Sequence, residues 1–215
     1  MLTAALFDFD GTLVDTTELI YQGLRHATTD VLGRDDIPRE TLMQNVGQPM
    51  PRQMELIDPD HVDALLNSYR VYNEGAHDTY IRDFPNVDVS LARLRDAGVK
   101  VAVVTSKRRL AVEMAMDSFP ALRNVTDVFV TMEDTTEHKP EPEPLWKGLE
   151  LLGDVPRDEA VYVGDSPHDV KAAKAAGLRS VGVSWGAFSE KDLRVAAPDH
   201  LAPDLDGVVD ILLTL

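Results

Sequence analysis

The 215-residue chain contains no cysteine. Disulfide bonds, thiolate catalysis and zinc sites with cysteine ligands are therefore excluded as sources of stability or activity. Any metal site must be built from other side chains, and any covalent catalysis needs a nucleophile other than a thiolate.

Long apolar runs are also missing. No stretch approaches the roughly 20 residues that a bilayer crossing requires. Residues 1–3 carry no basic group of the kind that opens a signal peptide. The sequence therefore predicts a protein with no membrane partner and a cytoplasmic location.

Basic side chains are scarce, with 21 lysines and arginines against 37 acidic residues and a formal net charge of −16. Nucleic acid binding needs a basic surface, so this balance disfavours a nucleic-acid partner. An anionic substrate would need local positive charge at its site. The composition does not distinguish a monomer from a homodimer.

The chain does contain an apolar run at residues 4–7 that ends in two carboxylates, Asp8 and Asp10, followed by Gly11. The run predicts a buried strand. Two carboxylates at its end repel each other and lose hydration, and a bound hard cation such as Mg²⁺ is the simplest compensation. The alternative is a surface turn with two solvated aspartates, which leaves the apolar run unexplained.

Strand and helix patterns alternate through most of the remaining sequence. Such alternation predicts an α/β fold with a parallel sheet covered on both faces. Between the first strand and the rest, helical periodicity without a convincing strand predicts a small inserted helical module. The predicted strands are residues 4–7, 101–104, 128–130, 160–163 and 180–183; the predicted division is a core of 1–15 and 84–215, with a helical insertion at 16–83.

Polar residues follow several of these strands. Because the carboxyl ends of parallel strands lie at one edge of a sheet, we expect these residues to meet there. They are Asp8 and Asp10 after the first strand, Thr105 and Ser106 after the second, Lys139 after the third, and Asp165 and Asp169 after the fourth.

These residue types suit phosphoryl transfer. Asp8 is the expected nucleophile, and Asp10 the acid and base that protonates the leaving oxygen and activates water. Mg²⁺ would bind Asp8, Asp165 and the main-chain carbonyl of Asp10. Thr105 and Lys139 would hold the phosphoryl group. Taken singly, each has an ordinary explanation, such as a helix cap at Thr105 or a solvated Lys139, so their joint placement carries the argument.

Four segments resemble the motifs of the haloacid dehalogenase-like hydrolase superfamily in order along the whole chain. They are residues 8–13 (DFDGTL), the strand that ends in Thr105, Lys139–Pro140 and residues 164–169 (GDSPHD). The resemblance implies a Rossmann-like three-layer core with an α-helical cap inserted after the first motif. It implies phosphate binding by Thr105, Ser106 and Lys139. It also makes Asp169 a further metal-site residue, bound directly or through water.

Within the superfamily the chain resembles phosphoglycolate phosphatases and related pyrophosphatases. The implied function is Mg²⁺-dependent hydrolysis of a small phosphorylated metabolite through an aspartyl-phosphate. Gly47 and Arg70 are the expected specificity residues of the cap. Inorganic pyrophosphatase, phosphomutase and, outside enzymes, a phospho-accepting signalling domain remain alternatives. A metal-independent dehalogenase is disfavoured by Asp10 and by the acidic pair at residues 165 and 169.

Overall fold

A computed structural model describes residues 1–215, which form an α/β fold. None of its helices combines the length and the apolar character that a membrane crossing requires. The strands are β1 (Ala4–Phe7), β2 (Val14–Asp15), β3 (Arg82–Asp83), β4 (Lys100–Val104), β5 (Val128–Val130), β6 (Ala160–Gly164), β7 (Arg179–Val183) and β8 (His200–Ala202). The helices are α1 (Thr17–Leu32), α2 (Arg39–Met43), α3 (Met50–Ile57), α4 (Val62–Tyr80), α5 (Val87–Asp96), α6 (Arg109–Ser118), α7 (Pro120–Val125), α8 (Glu143–Leu151), α9 (Pro167–Ala176), α10 (Glu190–Ala196) and α11 (Leu205–Thr214).

Six strands form one sheet in the order β5-β4-β1-β6-β7-β8, and every neighbouring pair in it is parallel. β1 lies inside the sheet between β4 and β6. The carboxyl ends of these three strands therefore lie side by side. The three-layer parallel α/β core predicted from the sequence is confirmed.

The alternation of side chains along the strands divides the core into two apolar layers. Ala5 and Phe7 of β1 join a cluster that includes residues of α5, α6 and α11. Ala4 and Leu6 join a second cluster that includes residues of α8 and α9. Both faces of β1 are thus dry, which explains why its sequence is continuously apolar.

A third apolar cluster belongs to the helices between β2 and β3. Its members come from α1 to α4 and from the segment after α2, and include Leu24, Met54, Leu65 and Tyr69. β2 and β3 pair antiparallel, so the two ends of this segment lie next to each other. The segment begins and ends close to the predicted boundaries at residues 16 and 83, and its role as a cap stays a proposal.

Several short elements differ from the sequence-based expectation. The glycine and prolines of residues 47–51 are typical of a loop, but α3 begins at Met50 with Pro51 in its first turn, where a missing N–H costs nothing. The expectation of no strand in the insertion was wrong at Arg82–Asp83. Short elements that periodicity did not predict are α7, α10 and β8.

Candidate active site

Asp8 and Lys139 form a buried ion pair at the carboxyl end of β1. Asp8 is the first residue after the strand, and only 2% of its surface is exposed. Lys139 Nζ lies 2.8 Å from Asp8 Oδ1. The predicted nucleophile therefore has a fixed cationic neighbour, although the two residues are 131 positions apart in the sequence.

Lys139 is held by two further contacts. Its Nζ donates to Asp169 Oδ1 at 2.7 Å and to the Tyr162 hydroxyl at 2.9 Å. The Tyr162 hydroxyl donates in turn to the carbonyl of Val104 at 2.9 Å. Burial opposes the charged form of Lys139, but the carboxylates of Asp169 and Asp8 outweigh it and raise the pKa of the ammonium. Lys139 is therefore a permanent positive charge at neutral pH.

Three buried carboxylates, those of Asp8, Asp165 and Asp169, lie together at this edge. One oxygen from each lies within 4.8 Å of the others. Burial, and then the charge of Asp169, raise the pKa of Asp8 to about 7, against the opposing effect of Lys139. Burial and the charges of Asp169 and Asp8 also raise the pKa of Asp165. The single positive charge of Lys139 does not neutralise the three carboxylates. Their oxygen atoms form a donor set that fits a hard divalent cation.

The backbone makes room for Asp165. Its Oδ2 accepts a hydrogen bond from the Ala187 N–H at 2.6 Å. Gly11 faces it with a φ of 74°, and a Cβ at this position would approach Asp165 Oδ2 to 2.4 Å. The turn after the first motif therefore requires glycine for its backbone conformation and for the space that the carboxylate occupies.

Asp169 is shared between a helix cap and the lysine. Its Oδ2 accepts hydrogen bonds from the N–H and the hydroxyl of Ser166 in the capping box of α9, at 3.0 and 2.6 Å. Its Oδ1 accepts from Lys139. Both carboxylate oxygens of Asp169 thus have protein donors, and the residue holds Lys139 in place. The predicted contact of Asp169 with a metal stays a prediction.

The Asp10 carboxylate is not part of the group of three buried acids and has partners of its own. Its Oδ1 accepts hydrogen bonds from the Thr16 hydroxyl at 2.7 Å and from Lys107 Nζ at 2.8 Å. Asp10 also lines the cavity into which Asp8 faces. The carboxylate is therefore available to a leaving group, whereas the predicted metal contact through its main-chain carbonyl stays a prediction.

Thr105 and Ser106 follow β4 next to the same cavity. The Thr105 hydroxyl accepts from the Lys107 N–H at 3.1 Å, and the Ser106 hydroxyl donates to the Gly47 carbonyl at 2.8 Å. Gly47 has a φ of 97°, and a Cβ there would lie 2.8 Å from Ser166 Oγ. The loop at Gly47 thus rests directly on the core, and the phosphate-binding role of Ser106 stays a prediction.

The cavity beside Asp8 lies between the core and the inserted helices, with a volume of about 70 Å³. The core contributes Asp8, Asp10 and Thr105, and the insertion contributes Gly47 and Arg70. The structure therefore brings the predicted specificity residues to the same cavity as the predicted nucleophile. Lys139, Asp165 and Asp169 are buried next to Asp8 and do not line the cavity.

Comparison with known proteins identifies the family. The family model described as haloacid dehalogenase-like hydrolase matches residues 5–183. The chain belongs to this family. Its members include relatives that align over nearly the full length of this chain. A protein of Caldanaerobacter subterraneus subsp. tengcongensis, provisionally named pyrophosphatase PpaX, is 41% identical over 211 residues, covering 98% of this chain and 94% of that protein. Pyrophosphatase PpaX of Bacillus cereus strain Q1 is 35% identical over 211 residues, covering 98% of this chain and 96% of its own.

Solved structures share the fold of this haloacid dehalogenase-like hydrolase. A predicted phosphatase from Clostridium acetobutylicum has a TM-score of 0.88 at 23% identity, with 100% of both chains covered. A predicted phosphoglycolate phosphatase from Haemophilus somnus 129pt has a TM-score of 0.84 at 23% identity, with 98% of this chain and 97% of that chain covered. At this level of identity the likeness shows a shared fold alone.

The sequence analysis did not single out several polar residues of the cavity wall, among them Gln48, Lys107 and Arg108. Gln48 Nε2 lies 3.4 Å from His168 Nε2, a second contact between the insertion and the core. A signal for the two basic residues was present, since they directly follow Thr105–Ser106 in a chain with few cations. That order alone does not separate them from solvated surface residues, and their position in the cavity is what identifies them.

Proposed function

We propose that this hydrolase is a Mg²⁺-dependent phosphatase that acts on a small phosphorylated metabolite through an aspartyl-phosphate at Asp8. The observation that carries the proposal is the buried group of Asp8, Asp165 and Asp169 with Lys139 in its midst, next to a cavity between core and insertion. This arrangement places a carboxylate that can act as a nucleophile beside the cavity, in a group that carries more negative than positive charge.

In the first step an Asp8 oxygen attacks phosphorus. The new Asp8 O–P bond forms as the bond from phosphorus to the leaving oxygen breaks, and Asp10 gives its proton to that oxygen. Lys139 offsets the charge that the phosphoryl oxygens bring to Asp8. The N–H groups at the turn after β4 and the hydroxyl of Thr105 are proposed to orient those oxygens.

In the second step water attacks the phosphorus of the aspartyl-phosphate. Asp10, now ionised, takes a proton from that water, and the Asp8 O–P bond breaks to release orthophosphate. Thr16 and Lys107 fix the position of the Asp10 carboxylate through both steps. The nucleophile returns to its starting state.

The acidic group is proposed to hold Mg²⁺ through Asp8, Asp165 and the Asp10 carbonyl, with Asp169 bound directly or through water. The cation supplies charge neutralisation on the phosphoryl oxygens when bound. In its absence the three carboxylates repel one another, as the raised pKa values of Asp8 and Asp165 indicate. The protein's own residues thus favour a divalent cation at this point.

We propose that residues 16–83 act as a cap that closes over the core formed by 1–15 and 84–215. The contacts of Gly47 with Ser106 and of Gln48 with His168 are the closing contacts. A closed cap excludes water from the reacting group. The small cavity restricts the substrate to a compact metabolite rather than a polymer.

Two substrates are candidates. Phosphoglycolate-like monoesters suit the monoesterase chemistry and the compact cavity. Inorganic pyrophosphate is the second candidate, favoured by relatives named pyrophosphatase PpaX that align over nearly the full length of this chain. Both substrates carry a second anionic group and therefore need cations on the leaving side of the cavity.

The proposal is tested by phosphate release from p-nitrophenyl phosphate with and without Mg²⁺. Turnover in excess of enzyme is expected, and chelation should lower it by more than about 100-fold because the cation stabilises transition-state charge. Asp165→Ala should raise the Mg²⁺ concentration for half-maximal activity at least about 10-fold. Asp96→Ala, at an exposed residue, is the control. Release of p-nitrophenol limited to one equivalent, with the phosphoryl group retained on Asp8, would indicate a phospho-accepting domain, and full activity after chelation would contradict the metal role.

Replacing Asp10 tests the acid and base. Asp10→Asn should lower kcat by about 10²- to 10⁴-fold on a substrate with a poor leaving group, because an amide neither gives nor takes the proton. The rate of phospho-enzyme formation should fall less with p-nitrophenyl phosphate, because its leaving group needs little protonation. Rapid-quench measurement of the two steps provides the comparison. An equal fall in the rate of phospho-enzyme formation with both substrates would assign Asp10 to another role.

A further inference from the structure

The cavity wall beyond Asp8 is basic in an otherwise acidic protein. Lys107 and Arg108 come from the core, directly after the turn that follows β4, and Arg70 comes from α4 of the insertion. The chain has a net charge of −16, so three cations on one small cavity are a local reversal of sign. Such a reversal is the electrostatic condition for binding an anion.

The three cations differ in what they already bind. Lys107 donates a hydrogen bond to Asp10, the proposed acid and base, and is therefore already paired. Arg108 pairs with Glu74 of α4, a contact that joins core and insertion. The Arg70 side chain lines the cavity from α4 and forms neither an ion pair nor a side-chain hydrogen bond with the protein. One guanidinium is thus free, and another is bound to a single, partly exposed carboxylate.

Arg70 and Arg108 also lie close enough to oppose each other. Burial, and then the charge of Arg70, lower the pKa of the Arg108 guanidinium. Two like charges facing one cavity from different parts of the chain cost free energy unless an anion lies between them. The phosphoryl group that reacts at Asp8 already has Lys139, so these two arginines remain for the other end of the substrate.

We propose that Arg108 of the core and Arg70 of the insertion together bind a second phosphoryl group on the leaving side of the substrate, and that Arg108 exchanges Glu74 for this group. This inference rests on the phosphatase function proposed above and names the specificity residues of that site. The substrate class is a compact compound with two phosphoryl groups, of which inorganic pyrophosphate is the smallest.

A phosphoryl group fits this pair better than a carboxylate does. A carboxylate carries a single negative charge, which one guanidinium bound as a fork already offsets, so the charge of the second arginine would remain in excess. A phosphoryl group has three terminal oxygens and a larger charge, so both arginines can bind it from opposite sides. In the reaction the bridging P–O bond breaks, Asp8 takes one phosphoryl group, and orthophosphate leaves from the two arginines. Water then releases the second orthophosphate from Asp8.

The test is a binding measurement that needs no turnover, so it remains informative if the proposed hydrolysis fails. Isothermal titration with excess Mg²⁺ compares methylenediphosphonate, phosphonoacetate and methylphosphonate, whose second groups are a phosphonate, a carboxylate and none. Arg108→Ala and Arg70→Ala should each weaken methylenediphosphonate binding about 10- to 100-fold, the effect of losing one charge-assisted contact. The effect on methylphosphonate should stay below about 3-fold.

Two further variants separate this role from a structural one. Arg109→Ala removes the next arginine, which is exposed and pairs with Asp134, and it should leave all three affinities unchanged. Glu74→Gln removes the competing carboxylate and should tighten methylenediphosphonate binding about 3- to 10-fold, a change opposite in sign to that of Arg108→Ala.

Three results would overturn the inference. Equal losses on methylenediphosphonate and methylphosphonate would show that the arginines bind the reacting group. A larger loss on phosphonoacetate than on methylenediphosphonate would assign the pair to a carboxylate. Weaker binding by Glu74→Gln would reject the exchange. Absence of phosphate release by the wild-type protein, with these affinities as expected, would instead reject the catalytic proposal alone.

Discussion

Asp8→Asn is expected to lower kcat by at least about 10⁴-fold while the protein stays folded. An amide cannot act as the anionic nucleophile, and removal of a covalent nucleophile typically abolishes nearly all turnover. The fold should survive because Asp8 lies at the end of β1 and not within its apolar layers. Removing one of three buried like charges also removes repulsion, so the thermal midpoint in the absence of Mg²⁺ should not fall.

The measurement is steady-state phosphate release together with thermal unfolding of the same sample, with mass spectrometry to verify the amide. Asp154→Asn is the matched control, since Asp154 is exposed and has a φ of 56°, which asparagine also tolerates. A folded, fully amidated Asp8→Asn protein with wild-type turnover would place the nucleophile elsewhere.

Lys139→Met is expected to lower the free energy of unfolding by about 3–5 kcal/mol at neutral pH without Mg²⁺, because breaking a buried ion pair leaves uncompensated charge. The side chain of Lys139 is 1% exposed and contacts Asp8 and Asp169. Methionine fills similar space, so lost charge rather than lost volume causes the effect. Activity should fall about 10²- to 10⁴-fold or more, since no fixed cation then faces the nucleophile.

The loss of stability in Lys139→Met should depend on pH in a definite direction. The pKa of Asp8 is about 7 in the folded protein and about 3.9 in an unfolded chain, so between these values the folded state holds a proton that the unfolded state has lost. Stability without metal therefore falls as the pH rises through this window. Removing Lys139 makes ionisation of the buried acids still more costly, so the difference between variant and wild type should widen from pH 5 to pH 8.

Chemical denaturation at pH 5 and pH 8, with EDTA or with excess Mg²⁺, measures the effect. Mg²⁺ should restore part of the lost stability because it supplies positive charge to the same carboxylates. Lys147→Met is the control, as Lys147 lies on the surface of α8 and pairs only with Glu150; it should change stability by no more than about 0.5 kcal/mol. An equal loss at both pH values would show that Lys139 acts through packing.

Sequence patterns were sufficient for the framework because the strands of this sheet are buried on both faces. β1, with its four buried residues, and β6, with five, appear as continuous apolar runs. Elements at the margin of the fold lack this pattern. β8 has only one fully buried residue, and α10 has one, so periodicity did not reveal them. α3 was obscured by prolines that ordinarily mark a loop, although its first turn accommodates one.

The order of residues along the chain is enough to predict the α/β class, the family, and which residue types stand at the ends of the strands, since these depend on local patterns. Which charges face one another depends on how the chain packs in three dimensions. Lys139 lies between Asp8 and Asp169, Lys107 binds Asp10 across 97 positions, and Arg108 meets Glu74 of the insertion across 34. Coulomb energy depends on distance and burial in space. The placement of each cation therefore follows from the packing of the insertion and loops on the sheet, which no local pattern encodes.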